Sequence, residues 1–221
     1  MVLENRFNKL IEARHGTILY NKNDIYIGKS IEKYGEFSYL EAKIFEQICK
    51  AGDVVIEVGA NIGAHTLYLS KLVGNGFVFA FEPQRLVFQN LCANLALNSI
   101  SNVFAYQEAV SNENGTIIIP ECNFKENNNF GGINIENTKN GTTVNKQKLD
   151  NFLNKINRLK LLKIDVEGME ISVIKGASEL IKKFRPMIYV ENDRQEHSKE
   201  LIELLWSLDY KMYWHLPKLY N

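Results

Sequence analysis

The sequence predicts an α/β fold in which helices cover both faces of a doubly wound, mostly parallel sheet. Short apolar runs with the length of buried strands alternate with longer segments whose apolar residues recur at helical spacing. Such alternation is typical of parallel sheets whose strands are joined by crossover helices. Neither an internal repeat nor a linker interrupts the pattern, so residues 1–221 are predicted to form one domain.

One stretch, GDVVIEVGANIGAHTLYL at residues 52–69, is the centre of this prediction. Its apolar run contains a single acid, Glu57, and indicates a buried parallel strand. Gly59 and Gly63 follow, and glycine lets the backbone approach a ligand where a side chain would clash. The helix predicted after Gly63 offers free N–H groups at its start. The stretch also fits an ordinary strand–turn–helix unit that holds no ligand.

The first 50 residues are predicted to form an extension before this stretch. Ser38, with Glu41 three residues later, predicts a capping box at the start of the last helix in the extension. The predicted elements are an amphipathic helix over 1–16, a hairpin of 17–20 with 24–27, and a helix over 39–50.

The same periodicities predict six strands and four helices after the central stretch. An Arg-Pro pair at 185–186 ends the third of these helices. The predicted strands cover 77–81, 103–110, 115–120, 159–164, 187–190 and 210–214. The predicted helices cover 85–96, 149–156, 170–184 and 197–208.

Residues 121–147 differ in composition from the rest of the chain, because Asn, Gly, Thr and Lys dominate there. This composition predicts a surface insertion. The alternative is a lid, in which Phe130, Gly131 and Gly132 form a hinge over a cleft.

Composition and charge exclude several classes of protein. Lys and Arg total 26, as do Asp and Glu, so the net charge of zero gives no support for nucleic-acid or anionic-membrane binding. No apolar run reaches the roughly 18 residues of a transmembrane helix, and the N-terminus lacks the apolar core of a signal peptide. Three widely spaced cysteines fit reduced thiols in the cytoplasm. We therefore expect a cytoplasmic protein without membrane or nucleic-acid partners.

Acidic residues stand at the ends of five successive predicted strands. Ligands of open α/β sheets bind outside the carboxyl ends of the strands, so the coincidence of position predicts a binding cleft, although one such acid alone is more often a solvated loop residue. The residues are Glu57, Glu82, Glu108, Asp165 with Glu167, and Glu191 with Asn192.

The chemistry of the glycine turn favours a cationic ligand. Its pattern E-x-G-x-x-x-G is neither the dinucleotide fingerprint G-x-G-x-x-G nor the phosphate loop, which disfavours an NAD(P)-binding enzyme. S-adenosylmethionine (SAM) has a sulfonium, an amino group and no phosphate, so it suits the acid Glu57. Glu82 follows about 25 residues later, near the position of a ribose-binding acid, although it would also suit a helix cap.

Five strings, in this order, carry a resemblance to a known family: VVIEVGANIGAHT, FAFEPQRLVFQNLCANLALN, LLKIDVEGMEISVIKGA, YVENDR and YWHLP. Together they cover most of residues 24–217, and the chain thereby resembles the FkbM family of SAM-dependent methyltransferases. The resemblance implies a class I, Rossmann-like methyltransferase fold. It also implies transfer of a methyl group from SAM, usually to a hydroxyl of a small-molecule acceptor such as a sugar or secondary metabolite.

The resemblance also implies the roles of individual residues. Glu82 matches the ribose-binding acid, and Glu108 stands where such folds hold the adenine, with the adjacent Gln107 as an alternative. Asp165 and Glu167 match the family's D-x-E-G motif near the transferred methyl, so one of them acts as base or orients the acceptor; alternatively, Glu167 caps the next helix. Four residues match the SAM loop: Glu57, Gly59, Asn61 and Gly63.

Two further expectations concern a metal and the C-terminus. Asp165 with Glu191 and Asn192 resembles the set that binds Mg²⁺ in catechol-type methyltransferases, and oxygen ligands suit that ion. His215 is expected to be a packed structural residue rather than a proton shuttle.

Class I methyltransferases usually continue beyond a strand such as 210–214, so a truncated sheet with an open edge is expected. The alternative function is therefore a non-catalytic SAM-fold protein that binds a partner through that edge.

Overall fold

The computed structural model of this chain describes residues 3–133 and 140–217. Its centre is a five-stranded parallel sheet, accompanied among the described residues by two three-stranded sheets. None of the helices in these residues has the length and apolar character needed to cross a membrane.

The N-terminal segment contains an antiparallel sheet followed by two helices. These elements are β1 (Leu3–Glu4), β2 (Asn8–Ala13), β3 (Gly16–Asn21), α1 (Ile27–Tyr34) and α2 (Tyr39–Ile48). The helix predicted over residues 1–16 is therefore wrong, since β2 pairs with β3 along its whole length. The hairpin predicted around residues 21–23 is also wrong, because Asp24 accepts a hydrogen bond from the Tyr26 N–H at 2.9 Å and the chain enters α1. Ser38 makes no capping hydrogen bond, so the predicted capping box is absent.

The central sheet begins with the predicted glycine-turn unit. Its first half consists of β4 (Val54–Val58), α3 (Ala64–Val73), β5 (Phe77–Phe81), α4 (Arg85–Leu97) and β6 (Val103–Tyr106). Every residue of β4 is buried, which explains its nearly continuous apolar sequence.

After β6 the chain forms a small separate sheet before it returns to the central one. It consists of β7 (Ala109–Val110), β8 (Gly115–Ile119) and β9 (Thr142–Gln147), and a 3₁₀-helix at Leu149–Phe152 follows. The strand predicted over 103–110 is thus two strands in two sheets. The predicted insertion at 121–147 contains β9, which pairs antiparallel with β8 and buries Val144 between exposed neighbours. Residues 134–139 of the predicted lid lie outside the described residues.

The second half of the central sheet completes a doubly wound order. It consists of β10 (Leu161–Ile164), α5 (Glu170–Lys175), α6 (Ser178–Phe184), β11 (Met187–Val190) and α7 (Gln195–Ser207). The strand order is β11-β10-β4-β5-β6, and all four pairings are parallel. This order confirms the predicted α/β fold class.

The predicted strand over 210–214 is absent. Tyr210 is held by its backbone N–H to the Leu205 carbonyl at 3.2 Å, and its hydroxyl donates to the Pro186 carbonyl at 2.8 Å. The following Tyr213 and Trp214 are 87% and 69% exposed. Their aromatic character favours a strand, but in the described residues this segment does not pair with any strand of the three sheets.

Two apolar layers cover the two faces of the central sheet. Successive side chains of a strand point to opposite faces; thus Ile56 joins one buried cluster and Val55 another. In the first layer the fully buried ring of Phe152 meets Phe79, Phe81 and Tyr106 edge-on, at centroid distances of 5.5–5.7 Å.

We predict that Phe152→Ala lowers the free energy of unfolding by about 3–5 kcal/mol, because it removes buried surface and leaves a cavity among three aromatic rings. Urea unfolding followed by circular dichroism measures the change. Tyr213→Ala removes an exposed aromatic ring and is the control, with an expected change within about 0.5 kcal/mol. Equal losses in the two variants would contradict the prediction.

Candidate cofactor and acceptor cleft

A cleft lies at the carboxyl ends of β4, β5, β10 and β11, where open α/β sheets bind their ligands. The strand-end residues Gly59, Asn61, Glu82, Asp165, Glu167 and Glu191 line it. Residues from the N-terminal segment and from positions 129–133 form the remaining wall.

The glycine turn packs directly against the end of β10. Gly59 has φ 82°, and a Cβ there would lie 1.7 Å from the backbone oxygen of Asp165. Only glycine fits this position, because both the space and the left-handed backbone exclude a side chain. Asn61 also has a positive φ of 51°, and its N–H donates to Glu82 Oε2 at 3.0 Å. The turn and the neighbouring strand end therefore form one fixed unit.

Glu82 is buried at the end of β5 with both carboxylate oxygens engaged. Besides the bond from Asn61, Oε1 accepts the Gln84 N–H at 2.8 Å. Burial raises the pKa of Glu82 to about 7, although both hydrogen bonds oppose the rise. These contacts fix the carboxylate at the cleft, and each carboxylate oxygen has lone pairs for further donors.

Glu57 lies beneath the cleft rather than on its lining. Its Oε2 accepts a hydrogen bond from Thr66 Oγ1 at 2.6 Å, and Lys163 Nζ lies 3.8 Å from Oε1. Burial raises the pKa of Glu57 to about 7 despite the nearby ammonium of Lys163. The structure thus places Glu57 under the turn, with Gly63 at the start of α3.

Three carboxyl groups converge at the ends of β10 and β11. Asp165, Glu167 and Glu191 each offer one oxygen within 4.8 Å of the others. Lys163 Nζ donates to Asp165 Oδ2 at 3.2 Å, and Arg194 Nη2 donates to Glu167 Oε2 at 2.6 Å. Burial, followed by the charge of Asp165, raises the pKa of Glu167 to about 7 and that of Glu191 to about 9.

The structure brings some predicted residues to the cleft and leaves others outside it. The Asn192 amide donates to Ser198 Oγ at 3.0 Å, and Glu167 rather than Asn192 joins the acidic group. Glu108 hydrogen bonds with Gln147 and is not among the described lining residues. His215 Nδ1 lies 2.9 Å from the hydroxyl of Tyr189.

Several residues at the cleft did not follow from the sequence analysis. Tyr26, Phe37 and Glu41 come from the segment treated as an extension. Lys163 is 2% exposed in the middle of β10; a lysine inside the apolar run LLKI was a usable signal, because a buried lysine needs a charged partner. Gln84 lines the cleft and donates to the Phe130 carbonyl at 2.9 Å.

Comparison with known proteins identifies relatives that share a low sequence identity with this chain. Methyltransferase sdnD of Sordaria araneosa is 27% identical over 181 residues, covering 65% of this chain and 70% of that protein. Hexuronic acid methyltransferase AglP of Haloferax volcanii is 26% identical over 155 residues, covering 69% of this chain and 61% of that protein. The solved precorrin 8W decarboxylase of Methanobacterium thermoautotrophicum has a TM-score of 0.49 at 16% identity, covering 78% of this chain and 73% of that one.

A family model, the methyltransferase FkbM domain, matches residues 57–212. The match begins at the acid beneath the glycine turn and includes every strand of the central sheet from β5 onward. Because it spans well over half of the sequence, this chain belongs to the FkbM methyltransferase family.

Proposed function

We propose that this chain transfers the methyl group of SAM to a hydroxyl oxygen of a small-molecule acceptor of the sugar or secondary-metabolite kind, and that residues 1–221 act as one domain. The proposal rests on the position and the contacts of Glu82. A buried carboxylate at the end of the strand after the glycine turn is held by two backbone amides and lines the cleft. Such a group can accept the hydroxyl protons of a ribose.

The lining of the cleft fits a cationic cofactor without phosphate. Its described residues include five carboxyl groups and neither Lys nor Arg. A dinucleotide pyrophosphate or a nucleic-acid backbone needs positive charge or free helix N-termini, and carboxylates would repel it. These features support SAM over NAD(P), and a small acceptor over RNA or DNA.

Asp165 is the residue that we assign as general base. SAM, when bound, supplies a methyl group on a positively charged sulfur. Lys163 fixes the Asp165 carboxylate from below, while the side chain remains 38% exposed toward the cleft. Asp165 would accept the hydroxyl proton as the acceptor oxygen bonds to the methyl carbon and the carbon–sulfur electrons pass to sulfur. Glu167, held by Arg194, would orient the acceptor.

We predict that Glu82→Gln weakens binding of SAM and of S-adenosylhomocysteine by about 10- to 100-fold. The amide keeps one acceptor oxygen but turns an N–H₂ group toward a backbone donor, and a lost bond to a charged group costs about 1.5–3 kcal/mol. Isothermal titration calorimetry measures the loss. Glu108→Gln, at a predicted cofactor residue that lies outside the described lining, is the matched control and should bind normally. Unchanged affinity in Glu82→Gln would contradict the cofactor assignment.

We predict that Asp165→Asn lowers the rate constant of methyl transfer by about 10²- to 10⁴-fold, the range expected for loss of a general base. The affinity for S-adenosylhomocysteine should stay within about threefold, because asparagine keeps the shape of the side chain. Single-turnover transfer from radiolabelled SAM measures the rate. A rate within threefold of wild type would remove Asp165 as the base. Cofactor binding without turnover on any acceptor would instead favour the non-catalytic, partner-binding alternative.

Metal removal tests the predicted Mg²⁺ site, in which Glu167 takes the place that the sequence prediction gave to Asn192. Asp165, Glu167 and Glu191 present the oxygen ligands that Mg²⁺ prefers, and a bound cation would polarise the acceptor hydroxyl. If the prediction is right, dialysis against EDTA abolishes turnover and added Mg²⁺ restores it. Turnover that persists in EDTA would contradict the prediction and leave Asp165 to act without a metal.

A further inference from the structure

We propose that the acceptor carries an ammonium group beside the hydroxyl that is methylated, and that Glu41 is the residue that selects it. This inference rests on the proposed function, because it names the class of acceptor for the same cleft.

The described lining of the cleft carries acidic side chains and no basic ones. Two cations, Lys163 and Arg194, contact carboxylates of the cleft, but neither is among its described lining residues. An anionic acceptor would therefore be repelled, whereas a cationic one would be attracted. The carboxyl groups of the lining are Glu41, Glu82, Asp165, Glu167 and Glu191.

One wall of the cleft combines aromatic rings with a carboxylate. Tyr26 and Phe37 line the cleft with ring centroids 6.4 Å apart and planes inclined at 59°. Glu41, near the start of α2, lines the same cleft. Aromatic faces attract ammonium groups through their quadrupoles, and a carboxylate beside them supplies the counter-charge. A wall of this composition suits an amine-bearing ligand.

Glu41 is flanked inside the protein by one cation and one imidazole ring. Burial raises the pKa of Glu41, and the nearby ammonium of Lys163 opposes the rise. Glu41 Oε2 lies 3.5 Å from Nε2 of His65, which is buried and packs against Phe37 at 5.8 Å. Burial lowers the pKa of His65 to about 3, so the imidazole is neutral at physiological pH. The neutral imidazole therefore does not compete with a cationic ligand for the Glu41 carboxyl, and an ammonium group bound in the cleft would favour its charged form as Lys163 does.

The position of Glu41 relative to the base suits a bifunctional acceptor. Glu41 comes from the N-terminal side of the cleft and Asp165 from the end of β10. An ammonium group held by Glu41 and the aromatic wall would place a neighbouring hydroxyl toward Asp165. The relative AglP is a hexuronic acid methyltransferase, and a hexuronic acid is an anion. The inference therefore gives this chain an acceptor of the opposite charge.

Three weak probes of similar shape and different charge test the inference: glucosamine, methyl glucoside and glucuronate. Each is added at millimolar concentration and pH 7 to protein saturated with S-adenosylhomocysteine in EDTA, and binding is followed by saturation-transfer NMR. We expect glucosamine to bind about tenfold more tightly than glucuronate, with methyl glucoside between them.

Two cleft variants and one surface variant test whether the wall formed by Tyr26, Phe37 and Glu41 causes the preference for glucosamine. Glu41→Gln should reduce the preference for glucosamine over glucuronate to less than about threefold, and Phe37→Leu should weaken glucosamine alone. Glu113→Gln removes an exposed carboxylate that pairs with Lys146 and is the matched control, with the preference unchanged.

The outcomes separate the two proposals. Equal responses from all probes, including none from any, or stronger binding of glucuronate would overturn the inference while the proposed function stands. Absence of S-adenosylhomocysteine binding, measured by calorimetry on the same samples, would overturn the proposed function itself and the inference with it. A preference for glucosamine that Glu41→Gln leaves unchanged would remove Glu41 as the selecting residue.

Discussion

The site depends on a single buried ammonium group, Lys163 in the middle of β10. Burial opposes its charge, but Asp165, Glu57 and Glu41 together outweigh burial, and the pKa of Lys163 is raised. A buried charge costs several kcal/mol unless it is paired, so removal of one partner from such a cluster is strongly destabilising. Lys163 Nζ lies 3.8 Å from Glu57 Oε1 under the glycine turn and 3.2 Å from Asp165 Oδ2 at the cleft. It thus connects the two acids. The close approach of Gly59 to the Asp165 backbone adds a second constraint, so the glycine turn and Asp165, the proposed base, hold a fixed relative position.

The central strands were predictable because burial on both faces leaves a local signal in the sequence. Strands β4, β5 and β11 have the bounds that their apolar runs predict. A strand covered on both faces needs a continuous apolar run, and that requirement is visible in a few consecutive residues. The acids at the strand ends were predictable for a similar reason, since the order of a parallel sheet brings its carboxyl ends to one edge.

The N-terminal segment was not predictable in this way, because its structure depends on residues far along the chain. Asn94 of α4 accepts the Leu19 N–H at 2.6 Å and donates to the carbonyls of Leu19 and Ile62. Asn98 makes a similar pair of hydrogen bonds with Thr17 at 2.9 and 2.7 Å. These side chains fix β3, whose residues 17–20 were predicted to be extended, and β3 in turn pairs with β2, where a helix was predicted. Local periodicity carries no trace of that pairing. Tertiary contacts of this kind override a weak helical pattern.

The two halves of the cleft come from different parts of the sequence. The proposed cofactor half is a local strand–turn–helix unit, β4 to α3, most of which lies within residues 57–212, which match the family. Part of the acceptor half, Tyr26, Phe37 and Glu41, lies before that match. The N-terminal sheet is attached through β3 and the asparagines of α4, and none of the side chains in that attachment lines the described cleft. The attachment of the N-terminal sheet is therefore independent of the side chains of this wall, whereas Glu41, one of the carboxylates that support the charge of Lys163, couples the wall to the strand that carries Asp165.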